Sequence, residues 1–414
     1  MLRIATRQTF DSGVDRLQQR QRELTEAQER LTSGKRVNKA SDDPAAAARA
    51  ERAMASLSRS QASQRALDAG RNTLTLAESA LGNASELLQQ ARETLVAAGN
   101  AAYGDSERAG LAERLVALRS QLLATANRSD GAGLFLFAGQ GSAEPPFVDI
   151  AGGVVFRGAA GEAASPLDEP LPMSIDGRAA WLAAPSGNGL FETRVLSASP
   201  NLAQGWIDGG RVTDPQAFFA ATSPPAVADP SQLDYRITFT QAAGVTTFTV
   251  EKDGAATVLA NQPYVSGRAI EIDGMAFTVN GSPQTGEAFE LRLAAPRQSV
   301  FDTLDRAIAE LRTPLRSGAA VAQGVAQALS GLDGSMGALQ LLHARVGESL
   351  NRADLAEGRI GAAKLAAEAE KSKAEDLDMV QAISSFQNQQ SGYEAALKAY
   401  ASVQRLSLFQ LLNY

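Results

Sequence analysis

The sequence predicts an α+β protein: a long helical coiled-coil rod built from both chain termini, with an inserted antiparallel β domain. Three observations predict it. Residues 1–139 and 298–414 carry apolar residues at heptad spacing, whereas residues 140–296 alternate apolar and polar between turn signals. Fifteen of the 16 prolines fall between Pro145 and Pro314. Both tryptophans, Trp181 and Trp206, also lie in the middle.

The first helix carries Phe10, Leu17, Leu24 and Leu31, seven apart, with Val14, Gln21 and Gln28 as partner positions. Glutamine in a seam weakens a private helix pair and can fix its register. Thr32-Ser33-Gly34-Lys35 breaks this helix. Asp43 is placed to cap the next one, with Pro44 in its first turn, where a missing N–H costs little.

The second helix is predicted to reach Ala98. Leu67, Leu74, Leu81, Leu88 and Leu95 alternate with Ala77, Ala84, Ala91 and Ala98, which permits close helix approach. A third helix presents Leu111, Leu115, Leu118 and Leu122 on one face. Gly131, Gly133, Gly139 and Gly141 enclose an apolar Leu134–Phe137 and read as a helix-to-sheet corner.

In the middle, Tyr235, Ile237 and Phe239 alternate with polar residues, as do Phe248 and Val250. Asp273-Gly274 joins Ile270 and Ile272 to Phe277 and Val279 as a hairpin. Asn280-Gly281 is predicted as a second turn, before a strand through Phe289, Leu291 and Leu293.

Beyond it, Phe301, Leu304, Ile308, Leu311 and Leu315 predict one short helix ending near Gly318. The next runs through Val325, Leu332, Leu339, Val346 and Ile360. A charged, alanine-rich linker is predicted from Lys364 to Glu375. The last helix repeats Met379, Phe386, Tyr393 and Tyr400 every seven residues, interleaved with Ile383, Gln390, Leu397 and Gln404.

At 414 residues, 44% apolar and 21% charged, the chain suits about two to four folded domains. With no cysteine, disulfides, zinc–thiolate sites and thiol catalysis are excluded. No signal-peptide pattern opens the chain and no apolar run approaches membrane-spanning length. Residues 140–296 hold 17 acidic and 8 basic residues, against a nucleic-acid face there. Residues 1–40 hold 9 basic and 5 acidic, interleaved as on a solvated coiled-coil flank. No nucleic-acid or membrane partner is expected.

No catalytic, cofactor or metal site emerges. His343 is the only histidine and shares a stripe with Met336 and Leu350, as a seam residue does. Asp42 and Asp43 precede Pro44 as capping residues rather than metal ligands. Trp181 and Trp206 could stack sugars in an adhesin, but tryptophans more commonly belong to a core. The terminal helices remain the oddity. Their seams are too thin to offset the entropy of ordering both segments. Val380, Val403, Leu406, Leu408, Phe409 and Leu412 remain apolar off the seam. The terminal helices are therefore predicted to be poorly ordered in the monomer and to fold against other subunits. Phe10, Leu17, Leu24, Leu31, Met379, Ile383, Phe386, Tyr393, Leu397 and Tyr400 form the predicted assembly interface.

Leu31-Thr32-Ser33-Gly34-Lys35-Arg36-Val37 with Ser41-Asp42-Asp43-Pro44-Ala45-Ala46-Ala47 resembles the N-terminal signature of flagellin-type proteins. The Ser-Asp-Asp-Pro form is similar to the hook-associated protein 3 family. Gly133–Gly139, Arg297–Leu304 and the ending Ser407–Tyr414 resemble other stretches of that family. The resemblance covers both helical ends. It implies a structural adaptor, not an enzyme, joining flagellar hook to filament. Its implied domains are residues 1–40 plus 375–414 as an inner tube, 41–139 plus 297–374 as a helical rod, and 140–296 as an outer β insert. It further implies a ring of subunits on hook-associated protein 1 with flagellin above. Export through the flagellar type III apparatus would use a chaperone on the C-terminal helix. Flagellin itself is the alternative within the same class.

Overall fold

The computed structural model describes residues 2–131, 133–164, 170–172, 174–196, 203–223 and 233–412, excluding the side chains of 2–10, 296–297 and 403–412. Long helices at both ends enclose an antiparallel β domain, as predicted. The helices α1 (Leu2–Ser33), α2 (Pro44–Ala98) and α3 (Asp105–Ala126) come first. Next are β1 (Phe147–Ile150), β2 (Gly153–Phe156), α4 (Arg178–Leu182), β3 (Ala184–Pro185), β4 (Phe191–Val195), β5 (Gly205–Ile207) and β6 (Arg211–Val212). A short helix α5 (Pro215–Thr222) leads to β7 (Asp234–Ala242), β8 (Val245–Lys252), β9 (Ala255–Ala256) and β10 (Gln262–Pro263). The β region ends with β11 (Ala269–Ile272), β12 (Met275–Gly281), β13 (Ala288–Leu293) and β14 (Pro296–Gln298). The chain closes with α6 (Val300–Arg312), α7 (Gly318–Glu375) and α8 (Met379–Leu412).

The chain divides into two compact units: Met1–Arg65 with Leu355–Tyr414, and Ala66–Asp354. The second holds two cores. In one, the predicted leucine–alanine alternation of α2 is fully inside: Leu74, Leu81, Leu88, Ala77, Ala84 and Ala98 have no exposed surface. They pack with Leu115 and Leu122 of α3, Phe301 and Leu304 of α6, and Leu332, Leu339 and Val346 of α7. Phe147, Ile175 and Trp181 join this helical core. Trp181 is wholly buried and stacks on Phe301 with ring centroids 6.2 Å apart. A buried indole cannot serve as a sugar platform, which removes half the basis for an adhesin.

The other core lies between two sheets. One has the order β10-β8-β7-β13-β4, with β9 on β8; the other is β11-β12-β5, with β6 on β12. Register follows the predicted alternation. Ile237 faces both Val250 and Phe289, and Tyr235 faces Leu291. All five are buried because period-two residues share a sheet face. Hairpin turns recur with one chemistry. Asp273-Gly274, Asp253-Gly254 and Ala243-Gly244 each have positive φ at both positions, which matches the twist of the flanking strands.

Three expectations are corrected. Asn280-Gly281 is no turn but the end of β12, where Gly281 pairs with Gly205. A Cβ at Gly281 would overlap the Gln204 carbonyl, so the glycine permits close backbone approach. Leu315 lies beyond α6, 85% exposed with φ +60°, because Pro314 forces Thr313 into an extended conformation. The Lys364–Glu375 stretch is no linker but the last turns of α7. Its alanines, lysines and glutamates are strong helix formers, with neither glycine nor proline among them.

Candidate assembly interface

The first unit pairs α1 with α8. A clasp of backbone and side chains sets their antiparallel course. Gly34, at φ +69°, ends α1 by donating its N–H to the Arg30 carbonyl. The Gly34 carbonyl accepts Leu377 N–H at 3.0 Å, and Arg36 N–H donates to the Glu375 carbonyl at 2.6 Å. Lys35 Nζ meets the Glu375 carboxylate at 2.9 Å. Arg36 reaches both the Ala374 carbonyl, at 3.0 Å, and the Asp43 carboxylate, at 3.1 Å.

Asp43 is the cap the sequence predicts: its Oδ1 accepts Ala46 N–H at 3.0 Å. The Asp42 Oδ2 accepts the N–H groups of Asn38 and Lys39, both at 3.0 Å. Backbone N–H donation holds both carboxyls below the usual carboxylate range, with Arg36 adding to the effect at Asp43. Asp378 then caps α8, accepting from Val380 and Gln381 N–H at 3.1 Å. The Lys35–Arg36–Glu375 clasp was not anticipated, since its partners stand over 300 residues apart in sequence.

At the far end, the Cβ direction of Gly13 meets the Tyr400 ring at 3.6 Å, and midway that of Gly392 points at Arg20 Nη1, 2.6 Å off. The half-buried residues define the contact. On α1 they include Gly13, Leu17, Leu24, Ala27 and Leu31; on α8 they are Ala382, Phe386, Gln389, Gly392, Tyr393, Ala396 and Tyr400.

The predicted interface therefore falls into two groups. Leu17, Leu24, Leu31, Phe386, Tyr393 and Tyr400 are half-buried in the pair. Met379, Ile383 and Leu397 are exposed at 44%, 45% and 42%, beside Val380 at 82%. The Phe10 side chain and the apolar groups from Val403 to the terminus lie outside the described side chains. Gln21, Gln28 and Gln390 are exposed rather than in the seam, because the small residues Ala27, Ala382 and Ala396 take the adjacent inner positions. Gln389 is the inner glutamine, and its Oε1 is out of water with no hydrogen-bond partner among the described residues.

No described side chain of α1 or α8 is buried. Two amphipathic helices alone cover only one stripe of each other, which leaves the second stripe of α8 in water. No group of metal-ligating side chains occurs among the described residues, and no described helix is long and apolar enough to cross a membrane.

The family model for the bacterial flagellin N-terminal helical region matches residues 5–142. The flagellar hook-associated protein 3 of Salmonella typhimurium is 36% identical over 154 residues, 37% of this chain and 48% of that protein. The chain thus aligns with about half the length of that relative. The Escherichia coli flagellar hook-associated protein 3 is 26% identical over 422 residues, 99% of both chains. Among solved structures, the flagellar junction protein of Legionella pneumophila superposes with a TM-score of 0.63 at 28% identity, covering 70% of this chain and 94% of that one. Helical ends, inserted sheets, the Ser-Asp-Asp-Pro cap and these likenesses agree: over its full length the chain is similar to flagellar hook-associated protein 3, and its N-terminal third matches the flagellin N-terminal helical region.

Proposed function

We propose that this chain is a structural subunit that joins the flagellar hook to the flagellin filament and catalyses no reaction. One observation carries the proposal. The α8 helix presents two apolar stripes, and α1 covers one of them. Met379, Val380, Ile383 and Leu397 remain in water, as expected of a surface that other subunits cover.

Three nested regions suit this role: residues 1–40 with 375–414 as tube wall, 41–139 with 297–374 as helical rod, and 140–296 outermost. The terminal pair becomes fully ordered on assembly, against other copies in a ring, hook-associated protein 1 below and flagellin above. Before assembly, a chaperone shields α8 and the flagellar type III apparatus exports the chain unfolded. The absence of cysteine suits that route, since refolding outside then requires no oxidation. The test is a deletion strain. It should build hooks and shed unassembled flagellin into the medium, and the wild-type gene should restore filaments. Normal filaments in the deletion strain would end the proposal.

A further inference from the structure

A polar cleft of about 640 Å³ opens between β4 and the first turns of α7. Gln323 stands in its wall, 5% exposed. Its Oε1 accepts the Ile207 N–H at 2.8 Å. That bond settles the orientation of the amide, because the flipped form would set N–H against N–H. Nε2 is then buried with no acceptor among the described residues. A buried donor in that state opposes folding unless something in the cleft receives it.

Arg316, seven residues earlier, repeats the pattern. One of its terminal nitrogens meets Glu310 at 3.2 Å and the other donates to the Ala320 carbonyl at 3.2 Å. Its Nε is buried and without an acceptor among the described residues. Glu310 reaches it only because position 324 is glycine, where a Cβ would overlap the carboxylate. Arg306 is exposed at the mouth and forms no ion pair among the described residues. Four arginines against two glutamates line the cleft, in a chain of net charge −7.

We infer that this cleft binds a carboxylate, received by Gln323 Nε2 and Arg316 and drawn in by Arg306. A planar anion with several lone pairs satisfies both stranded donors at once, and guanidinium groups favour that geometry. Two sources share this chemistry. One is a small free carboxylate. The other is an aspartate or glutamate of a second copy, whose residues 140–296 carry 17 acidic against 8 basic groups. The inference does not depend on the hook–filament role.

The experiment uses the full chain with glutarate as the probe. At matched ionic strength, glutarate should raise the thermal midpoint relative to sodium chloride. Gln323→Glu keeps the acceptor for Ile207 but replaces the free donors, and should abolish the shift. Arg306→Gln, at an exposed position, should weaken apparent binding about two- to fivefold while leaving the fold intact. For the second source, Arg306→Lys is treated with a carbodiimide in a concentrated sample, which joins the lysine to any carboxylate it touches. A cross-link from position 306 to an acidic residue of another copy's insert assigns the ligand to the neighbour. A glutarate shift without that cross-link assigns it to a free carboxylate. Neither a shift nor a cross-link means the cleft holds water only, and overturns the inference.

Discussion

Replacing Phe386 by aspartate should separate assembly from folding. Phe386 is half-buried in the α1–α8 pair, and no side chain from Met379 to Ser402 is buried. A fully buried phenylalanine contributes about 1.5–3 kcal/mol, so the half-covered ring contributes roughly half that in the isolated subunit. Once neighbours cover α8, an aspartate there would be desolvated at a cost of several kcal/mol. Each ~1.4 kcal/mol is tenfold, so incorporation should fall by about two orders of magnitude or more. Both tryptophans belong to the second unit, so intrinsic fluorescence reads that unit alone. The fluorescence-detected thermal midpoint should stay within about 2 °C of wild type, since about 1 kcal/mol lost in the first unit leaves the second core intact. In the cell, the variant should be exported but leave hooks without filaments. Normal filaments would refute the assignment of Phe386 to the assembly seam. A large shift in the tryptophan transition would refute the independence of the two cores.

Other outcomes follow from the same structure. In dilute subunit, amides of residues 379–402 should exchange more than about 100-fold faster than those of 328–350 in α7, because few apolar contacts protect them. Equal protection would contradict the reading that assembly completes their order. Burial, reinforced by Asp305, pushes the Asp302 carboxyl above its ordinary range. A raised carboxyl pKa makes the folded state bind protons more readily than the unfolded one, so ionisation of Asp302 opposes folding as pH rises through that pKa. Asp302→Asn should therefore raise the thermal midpoint at pH 7 and lose that advantage near pH 3; the reverse order would refute the assignment. Trp181→Ala should cost about 3–5 kcal/mol in denaturant unfolding followed by circular dichroism, since the indole is fully buried among Phe137, Phe147 and Phe301. A loss below about 1 kcal/mol would mean the helical core does not rest on it.

Local chemistry carried much of this fold. The Asp43-Pro44 cap, the Gly34 stop and the Asp273-Gly274 hairpin each need only their neighbours to act, so each is legible in a few residues. The leucines of α2 were equally plain, because a strict seven-residue repeat with alanine between can face only one way. The errors came where a neighbour decides. Leu315 matched the α6 stripe, yet Pro314 had already ended the helix. Lys364–Glu375 looked like a linker by charge, yet nothing in it interrupts helical hydrogen bonding.

By itself, the sequence determined the long helices at both ends, the central strands of the insert and the family resemblance at both ends. The tertiary structure alone decided which stripe of α8 turns inward. Heptad spacing offers two adjacent stripes, Ala382–Gln389–Ala396 or Ile383–Gln390–Leu397, beside the same aromatic row. Close approach at Gly13 and Gly392 selects the smaller set, because two helix backbones meet only where side chains are short. The larger set is thereby left in water, and the surface proposed for assembly exists only because of that choice.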